Sequence, residues 1–251
     1  LLFAIAVSVV VTLALGFFKM RLKADEIMVA IAINLLATGG TVFVLYLLTG
    51  NKSTSSSLPS GVFPTLNIPL IENIPFIGNV VSGHNILVYV AFLSIFVIYY
   101  LLYRTSLGLR IRSIGGNEEA AESVGVSVEK TRYIALLISG ILTGLAGAYL
   151  SMGYLTIFTA GMTAGRGYIA LAASFVGGNN PFGTMLASGL FGLFDQLGNQ
   201  LQSITNTPQE FIFMIPYIAT IVMYTIFAYR RSTRQQRANK KLMKQKEAEA
   251  Q

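Results

Sequence analysis

Asp195, Asn199 and Gln202 recur at i, i+4 and i+7 inside an apolar run, with Gln196 and Gln200 beside them. On a helix that spacing puts a carboxylate and two amides on one face, a stripe of acceptors and donors suited to a sugar hydroxyl or the edge of a base. Asn34 and Thr38 share a face of another apolar run, where cargo contact and interhelical hydrogen bonding are both good uses for them. Gly165 and Gly167 flank Arg166 in "AGRG", which follows no strand and so is no dinucleotide fingerprint; these glycines allow a helix to break. Together Asn34, Thr38, Gly165, Gly167, Asp195, Asn199 and Gln202 are the candidate solute path. Covalent chemistry is not on offer. Cysteine is absent, His84 is the single histidine, and neither a nucleophile–His–acid set nor H-E-x-x-H can be assembled. No metal site is expected from such a composition. Nor is there a phosphate-binding loop, because "GNKST" at 50–54 has no glycine directly before Lys52 and none at the required upstream spacing.

The elements that must position this stripe are membrane spans. Of 251 residues 53% are hydrophobic and only 12% charged, with a mean hydropathy of +0.63, against roughly a quarter charged in soluble domains. Six runs are long enough to cross about 30 Å of hydrocarbon: Leu1–Phe18, Ile27–Leu48, Ile86–Tyr103, Tyr133–Ile157, Met185–Ile204 and Phe211–Tyr229. Tyr168–Val176 is too short to span unaided. The expectation is an all-α polytopic bundle of at least six spans plus a short broken or tilted segment. Since the sequence opens inside an apolar run without Met, an N-terminal part is expected to be missing.

Basic residues orient the spans. Three of the 18 Lys and Arg fall in 19–26, five in 104–132 and eight in 230–251, so these segments are expected in the cytoplasm and 49–85 outside. Parity then requires one more crossing within 161–178. The basic tail 230–251 reads as a cytoplasmic retention tail following a permeating domain over 1–229; nucleic acid is not expected as a partner, membrane lipid is. Outside, 49–79 holds five Ser between 53 and 60 and four Pro, which excludes a regular helix and suggests a docking surface. Small residues recur at i, i+4 in Ser8/Thr12/Gly16, Gly140/Gly144/Ala148 and Thr184/Ser188/Gly192, rows that let helix backbones approach closely.

Between two apolar runs lies "RSIGGNEEAAESVGVSVEKTR", 112–132. Gly115-Gly116 ends one segment and Asn117 caps the next, with Glu118 and Glu119 in a first turn that favours acids. Ala120, Ala121 and Glu122 continue it and Gly125 stops it, while Ser127 is expected to cap the following span. A helix of about two turns is unstable alone and needs a partner surface. On a bundle without a motor, it suggests a lever for a separate engine.

At these residues, "TSLGLRIRSIGGNEEAAESVGVSVEKTRYIALLISGILTGLAGAYLS" resembles the cytoplasmic loop and span of permease subunits of bacterial ABC importers for simple sugars, branched-chain amino acids and nucleosides. "RLKADEIMVAIAINLLATGGTVFVLYL", "IPLIENIPFIGNVVSG" and "AGRGYIALAASFVGGNNPFGTMLASGLFGLFD" resemble the nucleoside permeases in particular, Arg166 and Asp195 being departures from the neutral or polar residues expected there. The resemblance implies that Gly116, Asn117, Glu118, Glu119, Ala120, Ala121 and Gly125 form a coupling helix seated on an ABC ATPase subunit. It further implies ATP and Mg bound by that ATPase and no cofactor on this chain, a second permease subunit, an extracytoplasmic substrate-binding lipoprotein, and nucleoside cargo moved inward by alternating access. A pentose permease remains the alternative within transport. An ion-coupled carrier working alone would need several intramembrane relays where the spans offer essentially Asp195, and a membrane scaffold would leave the short cytoplasmic helix without a use.

Overall fold

The computed structural model describes residues 1–58, 61–66 and 82–204, with positions 221, 222 and 225. The span expected at Phe211–Tyr229, the tail 230–251 and the Pro69–Gly78 stretch of the outer loop lie outside the described residues, apart from those three positions. The chain divides into two units, Leu1–Ala164 and Gly165–Gln251.

The first unit holds α1 (Leu2–Met20), α2 (Glu26–Thr49), α3 (Ile86–Arg104), α4 (Ser106–Gly116), α5 (Glu118–Ser123) and α6 (Val128–Tyr149), with a π turn over Leu150–Tyr154. Polar residues set the helix boundaries. The Asp25 carboxylate accepts from the Ile27 and Met28 amides at 2.9 and 3.1 Å to start α2, and Gly50, at φ 68°, ends it in the left-handed region. Asn85 caps α3 through Leu87 and donates its own amide to the Phe63 carbonyl, so one buried side chain starts a span and ties it to the outer loop.

Two rows of small residues hold this unit together. In the antiparallel α1–α6 pair Gly16 lies against Tyr133 and Leu136, Gly140 against Val9 and Thr12, and Gly144 against Ile5. A Cβ added at Gly144 would sit 2.7 Å from the Ile5 Cα, a backbone atom that no rotamer change can remove. The Ser8/Thr12/Gly16 and Gly140/Gly144/Ala148 rows are therefore the two faces of one contact. Without a hydrophobic driving force between helices in lipid, such close approach supplies the packing that holds them. α2 has only Leu45 buried and is apolar except along Asn34, Thr38 and Thr41, as suits a span facing lipid or another chain.

Chain ends of like kind gather. Arg21, just after α1, pairs with Glu129 at the start of α6, joining the two basic segments 19–26 and 104–132 at one end. At the other end Thr54 pairs with Thr159, Phe63 donates to the Met152 carbonyl, and Thr65–Leu66 (β1) pairs antiparallel with His84–Asn85 (β2). This two-residue ladder and the Thr54–Thr159 bridge apart, the regular structure of the described residues is helical.

The second unit contains α7 (Arg166–Val176) and α8 (Pro181–Ile204). α7 starts after Gly165, at φ 74°, and its 11 residues measure about 16 Å, half the hydrocarbon thickness. The short segment is thus a half-length helix with a break before it. It returns along α8 through a tight turn: a Cβ on Gly183 would strike the Gly177 carbonyl oxygen, and Ala173, Val176, Ala187 and Phe191 form the buried contact.

Four helices are long and apolar enough to cross a membrane among the described residues: α1, α2, α3 and α6 with its π turn. α8 has the length but not the composition, because Asp195, Gln196, Asn199, Gln200 and Gln202 crowd its second half. It also starts at Pro181 rather than Met185, since proline is at home in a first helical turn.

Candidate functional site

The 104–132 segment is not a simple loop but two short helices hinged at both ends. Thr105 breaks the chain at the end of α3 and caps α4, its hydroxyl donating to the Leu101 carbonyl and accepting from the Gly108 amide. Gly108 packs directly on the backbone of Leu101 and Leu102, so α4 can fold back at this angle only with no side chain there. The sequence reading did not identify α4. Its signals were the Thr105 cap and the inward positions Leu107, Gly108, Ile111 and Ile114 at i, i+1, i+4 and i+7.

α5 stands as the capping chemistry dictates. Asn117 accepts from the Ala120 amide at 3.0 Å, and Gly125, at φ 83°, closes the far end with the Val126 amide on the Ala121 carbonyl. Ala121 is the one buried residue of α5; Glu119, Ala120, Glu122 and Ser123 are exposed, as are Gly116, Asn117 and Gly125, and Val124 is 77% exposed. Glu118 is exposed too, but its carboxylate is bound by the Arg132 guanidinium of α6. A six-residue helix too short to persist alone is thus fixed by a cap, a glycine stop, one buried methyl and one ion pair, while its outer ridge is left open. Ser127 occupies the position before α6, but its side chain accepts no capping bond there; the Thr131 hydroxyl instead donates to the Ser127 carbonyl.

The residues expected to line the path are distributed over both units. Asn34 and Thr38 lie in the first, exposed on α2, with the Thr38 hydroxyl bonded to the Asn34 carbonyl at 2.8 Å. This is a local back-bond within the helix and brings in no third group. Gly165 and Gly167 lie in the second unit at the start of α7, and Asp195, Asn199 and Gln202 on α8. Pro181 as the start places Asp195 14 residues up the helix, about 21 Å from that end rather than about 15 Å.

Its register on α8 joins two features that the sequence reading kept apart. Ala187, Phe191 and Gly198 are the buried positions among the described side chains, whereas Thr184, Ser188 and Asp195 follow at i, i+4 and i+11 along the adjoining face. Of the Thr184/Ser188/Gly192 row, only Thr184 meets the end of α7, its backbone lying against Gly177; Ser188 and Gly192 are exposed, and the Gly183, Ala187 and Phe191 positions make the rest of that contact. Asp195 is half-buried.

Residues 1–228 match the family described as branched-chain amino acid transport system, permease component. The chain is 36% identical over 211 residues to the nucleoside ABC transporter permease protein NupC of Lactococcus lactis, covering 82% of this chain and 66% of that one. It is 34% identical over 236 residues to the guanosine ABC transporter permease protein NupQ of Bacillus subtilis, covering 92% and 73%. A putative glucose ABC transporter permease protein of Haloferax volcanii, TsgC13, is 32% identical over 194 residues, covering 76% and 57%. The chain thus spans about two thirds of the length of these curated relatives. No solved structure matches.

Proposed function

Because the chain belongs to the branched-chain amino acid transport system permease family, a family of polytopic membrane proteins, we propose that it is the membrane-spanning subunit of an ATP-driven importer of nucleosides. One observation carries the mechanism: α5 is braced on its inner side and open on its outer ridge. A lever needs both properties, since a loose helix would absorb a push and a buried one could not receive it. In this reading a separate ATPase subunit binds ATP and Mg and drives alternating access by pressing on 116–125. In this reading the basic end and the C-terminus lie in the cytoplasm, an orientation that the Lys and Arg distribution supports. A substrate-binding lipoprotein delivers cargo to the outer loop, and a second permease subunit completes the path.

Nucleoside as cargo rests on the names of the L. lactis and B. subtilis relatives and on the acid-amide face of α8, which suits both a ribose hydroxyl and a base edge. The H. volcanii relative favours a simple sugar as the second reading. Uptake of labelled nucleosides and of labelled pentose or glucose by proteoliposomes holding the whole transporter decides between them. Nucleoside uptake that needs ATP and is not competed by sugar is the expected result; saturable sugar uptake without nucleoside uptake overturns it.

Asp195→Asn tests the path directly. Losing the charge weakens any hydrogen bond from a cargo hydroxyl, so the half-saturating concentration is expected to rise about tenfold, the size of one charge-assisted bond. The thermal midpoint should stay put. Unchanged uptake kinetics with a lowered midpoint would make Asp195 a structural residue.

A further inference from the structure

The elbow formed by α3, α4 and α5 separates charge sharply. Arg104, Arg110 and Arg112 lie within nine positions, and no Asp or Glu occurs anywhere from His84 to Gly116. Elsewhere at this end three cations are paired, Lys19 with Glu26, Arg21 with Glu129 and Arg132 with Glu118, while Lys23 and Lys130 stand singly in their segments. Arg104, Arg110 and Arg112 have no ion pair among the described residues. Arg104 ends span α3, and the Arg112 guanidinium lies 4.6 Å from the ring centre of Tyr103, which draws it back to the level where that span leaves the membrane. Leu109 is 62% exposed on the outward side of α4, between the two flanking arginines. Directly after Asn117 the sign reverses, with Glu118, Glu119 and Glu122 in the six residues of α5.

We propose that α4 is an interfacial helix that binds the phosphate headgroups of anionic phospholipid in the cytoplasmic leaflet through Arg104, Arg110 and Arg112, and so orients α5. Guanidinium forks match phosphate oxygens, and a leaflet's negative surface attracts such a cluster while repelling the three glutamates beyond it. Leu109 gains apolar cover at the same surface. With Asn117 alone between the two helices, holding α4 down turns the acidic lever away from the membrane. An acidic partner protein would also suit three arginines, but their place at the mouth of a span favours lipid. The cytoplasmic placement comes from the proposed function; the binding itself is separable from transport.

The test uses the transporter complex in detergent and compares its retention of spin-labelled phosphatidylglycerol and phosphatidylcholine. Wild type is expected to favour phosphatidylglycerol, the preference falling about fivefold per arginine in Arg104→Gln, Arg110→Gln and Arg112→Gln, and shrinking in high salt. A triple Arg→Lys variant keeps the charge and controls for folding, so it should retain most of the preference. Equal retention of the two lipids by wild type overturns the proposal, as does a triple Gln variant that keeps the preference. Loss of the ATPase subunit from the triple Gln variant with lipid preference intact also overturns it and assigns the face to protein. Failure of nucleoside uptake in a complex that still selects phosphatidylglycerol overturns the functional reading alone.

Discussion

Glu119→Arg combined with Val124→Arg is expected to abolish substrate-stimulated ATP hydrolysis and uptake, by about thirtyfold or more, while the subunit still inserts and folds. Both side chains stand on the open ridge of α5, and Val124, at 77% exposure, is the apolar residue a partner groove would cover. The groups that fix the helix remain, the Asn117 cap, the buried Ala121 and the Glu118–Arg132 pair, and the change removes only the first-turn charge of Glu119, a contribution of about 0.3–1 kcal/mol. Two central contacts replaced by charge cost a docked interface on the order of 2 kcal/mol or more, hence the thirtyfold. Co-purification of the ATPase subunit and stimulated hydrolysis measure it. Glu118→Gln gives the contrast, because an exposed ion pair of this kind contributes about 0–1 kcal/mol and its loss loosens α5 without changing the ridge. The two adjacent glutamates are thus expected to behave differently; equal effects, or normal coupling in the double variant, would remove α5 as the lever.

A second large effect is expected at Gly144. Gly144→Leu should prevent the α1–α6 pair from closing, lowering the yield of folded subunit severalfold and the thermal midpoint of what remains. Even the first carbon of the new side chain would lie 2.7 Å from the Ile5 Cα, so the helices must separate and give up the packing along the whole row. Overpacking in well-packed interiors costs about 1–3 kcal/mol, and a clash with backbone belongs at the upper end. Gly147→Leu, three residues on in the same helix, meets nothing within 4 Å and is expected to stay within about 0.5 kcal/mol of the parent. A Gly147 variant as damaged as the Gly144 one would show that helix propensity or a partner surface, rather than the α1–α6 contact, sets the cost.

Sequence alone determined that this is a helical membrane protein, that 19–26 and 104–132 belong at one end, and that a capped two-turn helix sits over 117–125. These are local or compositional facts: apolar run length, the Lys and Arg bias, an Asn cap and a glycine stop act through nearest neighbours and the solvent, so residue order is enough to read them. The i, i+4 rows were legible as rows, but not which row meets which. Ser8/Thr12/Gly16 and Gly140/Gly144/Ala148 proved to be partners across more than a hundred residues, whereas in the third row Thr184 packs on the turn after α7 and Ser188 and Gly192 are left exposed. Likewise Glu118 and Glu119 are equivalent in the sequence and divided in the fold, one bound to Arg132 and the other left free to face outward. The start of α4 has local signals in the Thr105 cap and its apolar spacing, but the angle at which it folds back depends on Gly108 seating against the backbone of Leu101 and Leu102. Only tertiary structure decided these, since close approach of two backbones is a property of surfaces brought together and no single segment contains it.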